Sequence, residues 1–358
     1  MSFFEDDKNK AKKTEFVSVV WGYHKQLYTL SALENYHLRA LNTAQNLGLN
    51  LRVVSISAQA PIEKDPHFPV NCLVERYRGW IWYIQYLLKH RKALIYANTF
   101  TLQSFIVPFI CSRTIFMGHD SVKRKTWFKQ LLQNFVLRRF AKVRVVTEEE
   151  KQFLVHHGMD SDRIAVVPLA IDTDHFSETS TVSKKGLVFL GNATPDKDVV
   201  TILKAVGKVR EKVPEITLDI IGEIRDEQVK NLISQLQLHD IVKVHGFVTH
   251  AELPKLLNQF LICINSSISE GQCLAVYEAA LCGMALCLPI TLSFSGVFKD
   301  KALFHEVGDY EQLAKNIEQY YSTPEIIPRY QQACQEMIRN NYSSVVIDQQ
   351  LKDLFSSI

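Results

Sequence analysis

The sequence predicts an α/β protein with two doubly wound domains, each built on a parallel sheet. The chain opens with an apolar strand at residues 16–20, a helix that ends at Gly48, and a second strand at 51–56. This strand–helix–strand order is typical of a parallel sheet. A second sheet begins with the apolar strand 187–190, and a chain of 358 residues is long enough for two domains of ordinary size.

We predict four segments along the chain. They are a mobile tail at 1–14, a first domain at 15–170, a second domain at 171–335 and a C-terminal segment at 336–358. The tail is polar and charged, and it lacks the apolar segment of a secretory signal. A polar stretch without periodicity at 177–185 links the two domains.

Composition narrows the class of protein. Apolar residues make up 47% and charged residues 22% of the chain, which is the balance of a soluble globular protein. A net charge of +3 gives no reason to expect a nucleic-acid partner. No apolar run reaches the length of about 18 residues that suggests a transmembrane helix. Seven cysteines without a C-x-x-C pair indicate reduced thiols in the cytoplasm, and they make a zinc site an unfavoured interpretation.

The next predicted strands are residues 93–97 and 114–117. An aromatic-rich helix at 77–92 precedes them, and two interpretations stay open for it: a core helix, or a surface that meets an acceptor or a membrane. His119 comes directly after the second strand, and active-site groups of open α/β sheets gather at the carboxyl ends of strands. A lone histidine is more often structural, so His119 is a candidate by position.

A strongly basic segment follows at residues 121–144. It contains eight Lys or Arg residues and no acid, and its apolar residues keep a helical period. One interpretation is an interfacial helix that binds an anionic membrane surface. The other is an ordinary helix that covers the sheet and turns a solvated basic face outward. The sequence favours the first interpretation because the second does not explain the excess of positive charge.

The stretch that carries the most chemistry is residues 267–283. An apolar run at 260–264 predicts a buried strand, a polar loop follows, and a helix runs from about Gln272 to Gly283. Free N–H groups at such a helix start favour a bound anion, typically a phosphate. Glu270 lies at the helix start, and Glu278 lies about two turns further along, so both carboxylates can share one face.

Two glutamates eight residues apart are usually surface charges on a helix. This helix, however, is apolar on nearly all sides, which predicts that it is buried. A buried carboxylate needs a partner, so Glu278 is better explained as an acceptor of hydrogen bonds from sugar hydroxyls.

The stretch resembles the donor site of retaining glycosyltransferases with the GT-B fold, in particular glycosyltransferase family 4. Their pattern is approximately S-x-x-E-G-F-G-x-x-x-x-E-A-x-x-x-G-x-P. The matching residues here are Ser267, Glu270, Gly271, Glu278, Ala279 and Gly283. Gln272 and Cys273 replace the Phe-Gly of the pattern, and Ala285 replaces its proline.

A second match lies in the turn after the strand 187–190. The family reads approximately G-R-x-x-x-E-K there, with Arg and Lys on the donor diphosphate; Gly191 and Lys197 match, whereas Asn192 replaces the Arg. Asn provides neither the charge nor the bidentate fork of Arg. A lone lysine could also be a solvated surface residue, and the strand, glycine turn and helix around Lys197 favour the phosphate role.

The resemblance implies a role for each matched position. Two Rossmann-like domains would face each other across a cleft, and residues 336–358 would pack back on the first domain. Glu270, His119 and Lys197 would be the catalytic residues. Donor-binding positions would be Ser267, Gly271, Gln272, Cys273, Leu274, Glu278, Gly191, Asn192, Phe247 and Val248. A core role for Phe247 is an equal alternative. The first domain would bind the acceptor near Gly22 and Tyr23, where the family often has a Gly-Gly pair.

The implied function is transfer of a sugar, with retention, from a UDP- or GDP-linked donor to a glycan or lipid-linked acceptor in polysaccharide or glycolipid synthesis. No cofactor and no obligatory metal are expected. We expect a cytoplasmic protein on the inner face of the membrane, without a nucleic-acid partner. Two alternatives stay open: a nucleotide-sugar epimerase on the same fold, and a non-catalytic nucleotide-sugar-binding partner subunit. A NAD-dependent dehydrogenase is disfavoured because no G-x-G-x-x-G follows the first strand.

Overall fold

The computed structural model describes residues 14–20, 38–56, 72–98, 101–118, 127–179 and 184–358, apart from the side chains of 127–129. These residues form two compact units. The first unit comprises the chain up to Pro168 together with Ile347–Ile358, and the second comprises Leu169–Val346. Each unit is built on one parallel sheet, which confirms the predicted α/β class.

The first unit has a seven-stranded parallel sheet in the order β3-β2-β1-β4-β5-β6-β7. Its strands are β1 Glu15–Val20, β2 Asn50–Ser55, β3 Leu73–Arg76, β4 Leu94–Ala97, β5 Thr114–Met117, β6 Lys142–Val145 and β7 Ile164–Val166. Its helices are α1 Arg39–Asn46, α2 Trp80–Lys89, α3 Leu102–Ile110, α4 Trp127–Leu137 and α5 Glu148–His156. Short runs rich in β-branched residues, such as Val17 and Val19, form strands buried on both faces.

The second unit has a six-stranded parallel sheet in the order β10-β9-β8-β11-β12-β13. Its strands are β8 Leu187–Leu190, β9 Leu218–Ile221, β10 Val242–Gly246, β11 Ile262–Ile264, β12 Ala285–Pro289 and β13 Leu303–His305. Its helices are α6 Val199–Val209, α7 Glu227–Gln235, α8 Leu253–Leu257, α9 Leu274–Leu281, α10 Leu292–Phe298, α11 Tyr310–Ser322 and α12 Ile326–Tyr342.

Side chains of the second sheet alternate between two cores, as the pleat requires. Leu187 and Phe189 of β8 face one core, and Val188 faces the other. Helix α9 belongs to the second core with Val276, Ala280 and their neighbours. The predicted burial of this helix is therefore confirmed, although it begins at Leu274 rather than near Gln272, because Cys273 takes the N-cap position.

The C-terminal region differs from the predicted segment 336–358. Helix α12 continues to Tyr342 and buries Cys334 and Ile338 in the second unit, so residues up to 346 remain there. The last helix, α13 Ser344–Ser356, brings its residues from Ile347 onward into the first unit. An ion pair of 2.8 Å between the Arg39 guanidinium and Asp348, and a contact between the Phe16 and Phe355 rings, hold it there.

The aromatic-rich helix α2 serves both of the roles that the sequence left open. Tyr83, Tyr86 and Leu87 are buried against the first sheet, whereas Trp80 and Ile81 are exposed. None of the helices in the described ranges has the length and apolar content needed to span a membrane. The predicted tail at 1–14 lies outside the described residues except for Thr14.

Candidate functional site

The site lies where the strand order of the second sheet reverses. Strands β8 and β11 are neighbours, but the chain leaves them in opposite directions across the sheet. At such a point the loops at the carboxyl ends of the two strands diverge and open a crevice, which is where ligands bind in open α/β sheets. The loop after β8 contains Lys197, and the loop after β11 contains Glu270.

The turn after β8 is fixed by backbone packing and by two side chains. A Cβ at Gly222 would lie 2.2 Å from the carbonyl oxygen of Gly191, so only glycine lets the loops after β8 and β9 approach so closely. The Asn192 Oδ1 accepts a hydrogen bond of 3.0 Å from the Glu223 N–H. Asp198, in the left-handed region at φ +45°, caps helix α6 and accepts a hydrogen bond from the Thr201 hydroxyl.

Lys197 and Glu270 form the central ion pair of the site. The Lys197 Nζ lies 2.5 Å from the Glu270 Oε1, and the Ser267 hydroxyl donates a hydrogen bond of 2.7 Å to the same oxygen. Burial disfavours the charged lysine, but the Glu270 carboxylate outweighs it and holds the pKa of Lys197 above its usual value. The ammonium group is therefore a permanent cation at neutral pH.

The two loops are tied together as one rigid piece. The Ser266 hydroxyl donates to the carbonyl oxygens of Lys197 and Asp198, at 3.0 and 2.9 Å. The Ile268 N–H donates to the Asp196 carbonyl. These bonds preorganise the ammonium and carboxylate groups, so little reorganisation is needed when a charged ligand arrives.

Glu278 is buried inside helix α9, with 9% of its surface exposed. Burial, with a smaller contribution from the negative charge of Asp172, raises the pKa of Glu278 to about 7. A carboxylate this desolvated is costly to the fold unless a ligand uses it. Its position two turns along the helix from Glu270 agrees with the expected spacing.

Gln272 makes two buried hydrogen bonds to one backbone unit. Its Oε1 accepts from the Leu169 N–H at 2.7 Å, and its Nε2 donates to the Leu169 carbonyl at 2.9 Å. Two departures from the family pattern, Leu169 in place of Asn and Gln272 in place of Phe, thus meet in space. The Gln272 side chain supports the segment 169–171 rather than reaching toward the donor.

We expect Gln272→Leu to lower the free energy of unfolding by about 2–6 kcal/mol, since it leaves one buried N–H and one buried carbonyl unpaired, each costing about 1–3 kcal/mol. Chemical denaturation of both proteins measures the loss. Gln259→Leu, on an exposed side chain, is the control. Equal stability of Gln272→Leu and the parent would contradict the structural role of this amide.

The remaining donor-loop residues lie at the start of α9. Gly271 is buried, and Cys273 accepts a weak hydrogen bond of 3.7 Å from the Asn265 amide. Burial raises the pKa of the Cys273 thiol well above its usual value, so this residue is an inert space filler. Leu274 begins the helix and packs partly on the second core.

Phe247 and Val248 follow strand β10 at the same edge of the sheet. Phe247 is 77% exposed, so the alternative of a core role is wrong. Val248 packs against the second core. An exposed aromatic ring at this edge is available for stacking against a nucleotide base. Gly22, Tyr23 and His119 lie outside the described residues, and their predicted roles stay predictions.

Several residues that position the site were missed from the sequence. Ser293 donates a hydrogen bond of 2.6 Å to the Glu270 carbonyl from helix α10, and nothing in the sequence links these two positions. Ser266 and Asp198 were detectable in principle: Asp198 precedes an apolar helix with Thr at the third following position, which is a capping pattern. Among the residues that the structure describes, no group of three or more His, Cys, Asp or Glu side chains is arranged to hold a metal ion.

The fold and the site define a class of protein: a doubly wound α/β protein with a lysine–glutamate pair at the switch point of its second sheet. Two family models match the chain. Glycosyl transferases group 1 matches residues 170–344, and Glycosyltransferase Family 4 matches residues 33–175. The chain therefore belongs to glycosyltransferase family 4 and has the GT-B fold.

Curated relatives match the chain over limited segments. The D-inositol 3-phosphate glycosyltransferase of Pseudarthrobacter chlorophenolicus is 25% identical over 174 residues, or 44% of this chain and 40% of the relative. A human protein of the phosphatidylinositol N-acetylglucosaminyltransferase is 27% identical over 136 residues, or 36% of this chain and 27% of the relative. A third relative is the GtfA component of the UDP-N-acetylglucosamine–peptide N-acetylglucosaminyltransferase of Streptococcus pneumoniae, 28% identical over 35% of this chain and 24% of the relative. The chain thus spans only a quarter to two fifths of these relatives.

Solved structures resemble the whole chain. A glycosyltransferase from Rickettsia africae superposes with a TM-score of 0.79 at 16% identity, covering 97% of this chain and 98% of the other. HepE from Anabaena, in complex with UDP and glucose, superposes with a TM-score of 0.77 at 16% identity, covering 96% and 100%. At these identities the likeness establishes the fold.

Proposed function

We propose that the protein transfers a sugar, with retention at the anomeric carbon, from a uridine diphosphate sugar to a glycan or lipid-linked acceptor. The observation that carries the proposal is the Lys197–Glu270 ion pair at the switch point, with Glu278 two turns further along the same helix. This arrangement offers one cation for a diphosphate and two carboxylates for hydroxyl groups.

The geometry assigns a step to each group. Lys197 neutralises the diphosphate, on which negative charge grows as the sugar–phosphate bond breaks. When the diphosphate takes over the lysine, Glu270 is released to accept hydrogen bonds from the sugar, with Ser267 holding one of its oxygens. Glu278 accepts the ribose hydroxyls, and Phe247 stacks on the base. The backbone N–H groups from Gly271 to Leu274 add further donors to the diphosphate.

Support for a uridine nucleotide comes from the related proteins. The HepE structures contain UDP, UDP with glucose, and UDP-glucose, and the pneumococcal relative is named for UDP-N-acetylglucosamine. GDP-linked donors are the competing class for this site.

A thermal-shift titration with UDP, GDP, ADP and their sugars tests the donor. We expect UDP and a UDP-sugar to stabilise the protein most, by about 2.7 kcal/mol when the ligand is at 100 times its dissociation constant. The matched control is Lys197→Ala, in which the shift falls. If no nucleotide shifted the unfolding temperature, the proposal of a nucleotide-sugar donor would be wrong; a GDP-selective shift would replace uridine by guanosine.

We propose that the acceptor is carried by a lipid and that the protein works as a peripheral protein on the cytoplasmic, anionic face of a membrane. The names of two relatives, which refer to phosphatidylinositol and inositol phosphate, agree with this proposal. The eight Lys and Arg residues at 121–144 without an acid supply the positive charge that such a surface attracts.

The scheme assigns no step to a metal ion, because Lys197 and the helix N-terminus neutralise the leaving diphosphate. Transfer is therefore expected to continue in EDTA. Loss of activity that Mg²⁺ or Mn²⁺ restores would show that a metal ion takes part.

Two other functions are distinguishable by turnover. An epimerase would convert the donor without an acceptor, and a non-catalytic partner subunit would bind the donor without turnover. The observation that favours the partner subunit is Asn192, which replaces a donor-binding Arg and has its oxygen committed to the Glu223 N–H. Donor consumption with and without acceptor separates the three functions.

A further inference from the structure

The helical layer on one side of the first sheet has an apolar outer surface. Helices α2, α3 and α4 connect β3 to β4, β4 to β5 and β5 to β6, always in the same direction across the sheet. Since such crossovers are right-handed, the three helices lie on one face. Their inward side chains fill the first core. Their exposed apolar residues, which we call the outer helical face, are Ile81, Ile84, Leu88, Leu102, Phe109, Leu131, Leu132 and Phe135.

The outer helical face is a continuous surface rather than a set of isolated residues. On α2, Ile81, Ile84 and Leu88 follow the i, i+3, i+7 spacing of one stripe. On the next two helices, the Phe109 and Phe135 rings are 6.4 Å apart. Helix α2 is thus apolar on both its inner and its outer side, and a helix with this pattern is normally buried on both. Large exposed apolar patches mark sites of interaction.

Positive charge surrounds this surface. Between Arg78 and Thr147 the sequence has thirteen Lys and Arg residues and one acid, Asp120. The other 288 residues contain 28 Lys and Arg against 37 Asp and Glu, so the cations are concentrated in this region. Parallel strands place the C-terminal ends of α2 and α4 at the same edge of the layer. The exposed cations at those ends are Lys89, Arg91, Lys92, Arg138 and Arg139.

We propose that the outer helical face docks on the surface of an anionic lipid bilayer. Its apolar side chains enter the headgroup region, and the surrounding Lys and Arg side chains bind lipid phosphates. A second copy of the chain would also cover the apolar residues, but it would bring two strongly positive rims together at a repulsive cost. A lipid surface complements both the apolar centre and the positive rim. The inference rests on the proposed lipid-linked acceptor only for its purpose, and it assigns the surface that brings the enzyme to it.

The apolar contribution is tested by flotation with vesicles of equimolar phosphatidylglycerol and phosphatidylcholine, without any donor. We expect the triple variant Ile81→Gln, Leu88→Gln, Leu102→Gln to bind about tenfold more weakly or worse, because each side chain loses its burial in the bilayer. All three residues are at least half exposed, so the fold is retained, which thermal unfolding checks. The matched control replaces two exposed apolar residues elsewhere, Leu73→Gln and Val345→Gln, and keeps full binding.

The charge contribution is tested with a second triple variant, Lys89→Gln, Arg91→Gln, Lys92→Gln. Binding is expected to weaken and to become less sensitive to salt, because fewer cations interact with the bilayer. Its control removes the same charge from the second unit, with Lys208→Gln, Lys212→Gln and Lys230→Gln, and binds like the parent. This pair of variants decides the matter even if the apolar variant were to fold poorly.

Three results would overturn the proposal. They are equal binding to pure phosphatidylcholine vesicles, full binding by both triple variants, and a dimer in sedimentation that the Ile81, Leu88 and Leu102 substitutions dissociate. The last result would make the face an interface between two copies. UDP titration in solution, without vesicles, separates the two proposals: vesicle binding without UDP affinity contradicts the donor site alone, and UDP affinity without vesicle binding contradicts the docking surface alone.

Discussion

Lys197→Ala is expected to lower the turnover number for sugar transfer by about 10²–10³-fold while weakening donor binding much less. Removing one preorganised group that stabilises developing charge typically has an effect of this size. The negative charge on the diphosphate increases as the sugar departs, so the lysine contributes more in the transition state than in the ground state. Steady-state kinetics with the nucleotide sugar identified by titration measures both quantities.

The structure gives two reasons to expect the upper part of that range. Asn192 stands where the family has a second cation, and its Oδ1 is held by the Glu223 N–H, so it cannot replace the missing charge. Lys197 is also fixed by its 2.5 Å contact with Glu270, which keeps the ammonium group at the carboxyl ends of β8 and β11. The site therefore depends on one ammonium group.

The control for this experiment is Lys208→Ala, which removes an exposed lysine from helix α6 in the same unit. Lys197→Arg should recover part of the activity, because it restores the charge with a different shape. Parent-like turnover of Lys197→Ala would show that this residue only holds Glu270 in place and has no role in charge stabilisation.

The fold was accessible from the sequence because the strands are short, apolar and separated by clear turns. Residues 114–117 and 187–190 are strands with the predicted bounds, and the apolar helix after Glu270 is buried as expected. Strand β3, Leu73–Arg76, was missed because it lies at the sheet edge with side chains that alternate only weakly. Helix α3 was missed because its apolar residues surround the whole helix, so no period distinguishes it.

The local chemistry of the site was less predictable. The spacing of Glu270 and Glu278 follows from helix geometry, so a single stretch of sequence contains it. The Gln272–Leu169 hydrogen bonds join positions that are 103 residues apart, and no local pattern connects them. The same holds for Ser293, whose hydroxyl reaches the Glu270 carbonyl from another helix. Whether Phe247 was exposed depended on tertiary packing that its neighbours in sequence do not determine.

Glu278→Gln is expected to stabilise the free protein at pH 8 and to leave its stability unchanged near pH 4. The pKa of Glu278 is raised to about 7 by burial and by Asp172, whereas an unfolded chain has the usual value of about 4.3. Between these values the folded protein holds a proton that the unfolded chain has released, so the free energy of unfolding falls as pH rises. The decrease is about 3 kcal/mol and is complete above pH 7 or so. A glutamine carries no charge and shows no such decrease.

The same substitution is expected to weaken donor binding, because the glutamine loses the charged acceptor that the ribose hydroxyls use. The expected cost is about 1.5–3 kcal/mol. In the parent, affinity should rise as pH increases through 7 and the carboxylate forms, and Glu278→Gln should remove that rise. Calorimetric titration at pH 6 and pH 8 measures both effects, with the exposed Glu227→Gln as control. A variant that is more stable at pH 8 but binds the donor with parent affinity would separate the two roles, and Glu278 would then be a buried carboxylate without a ligand.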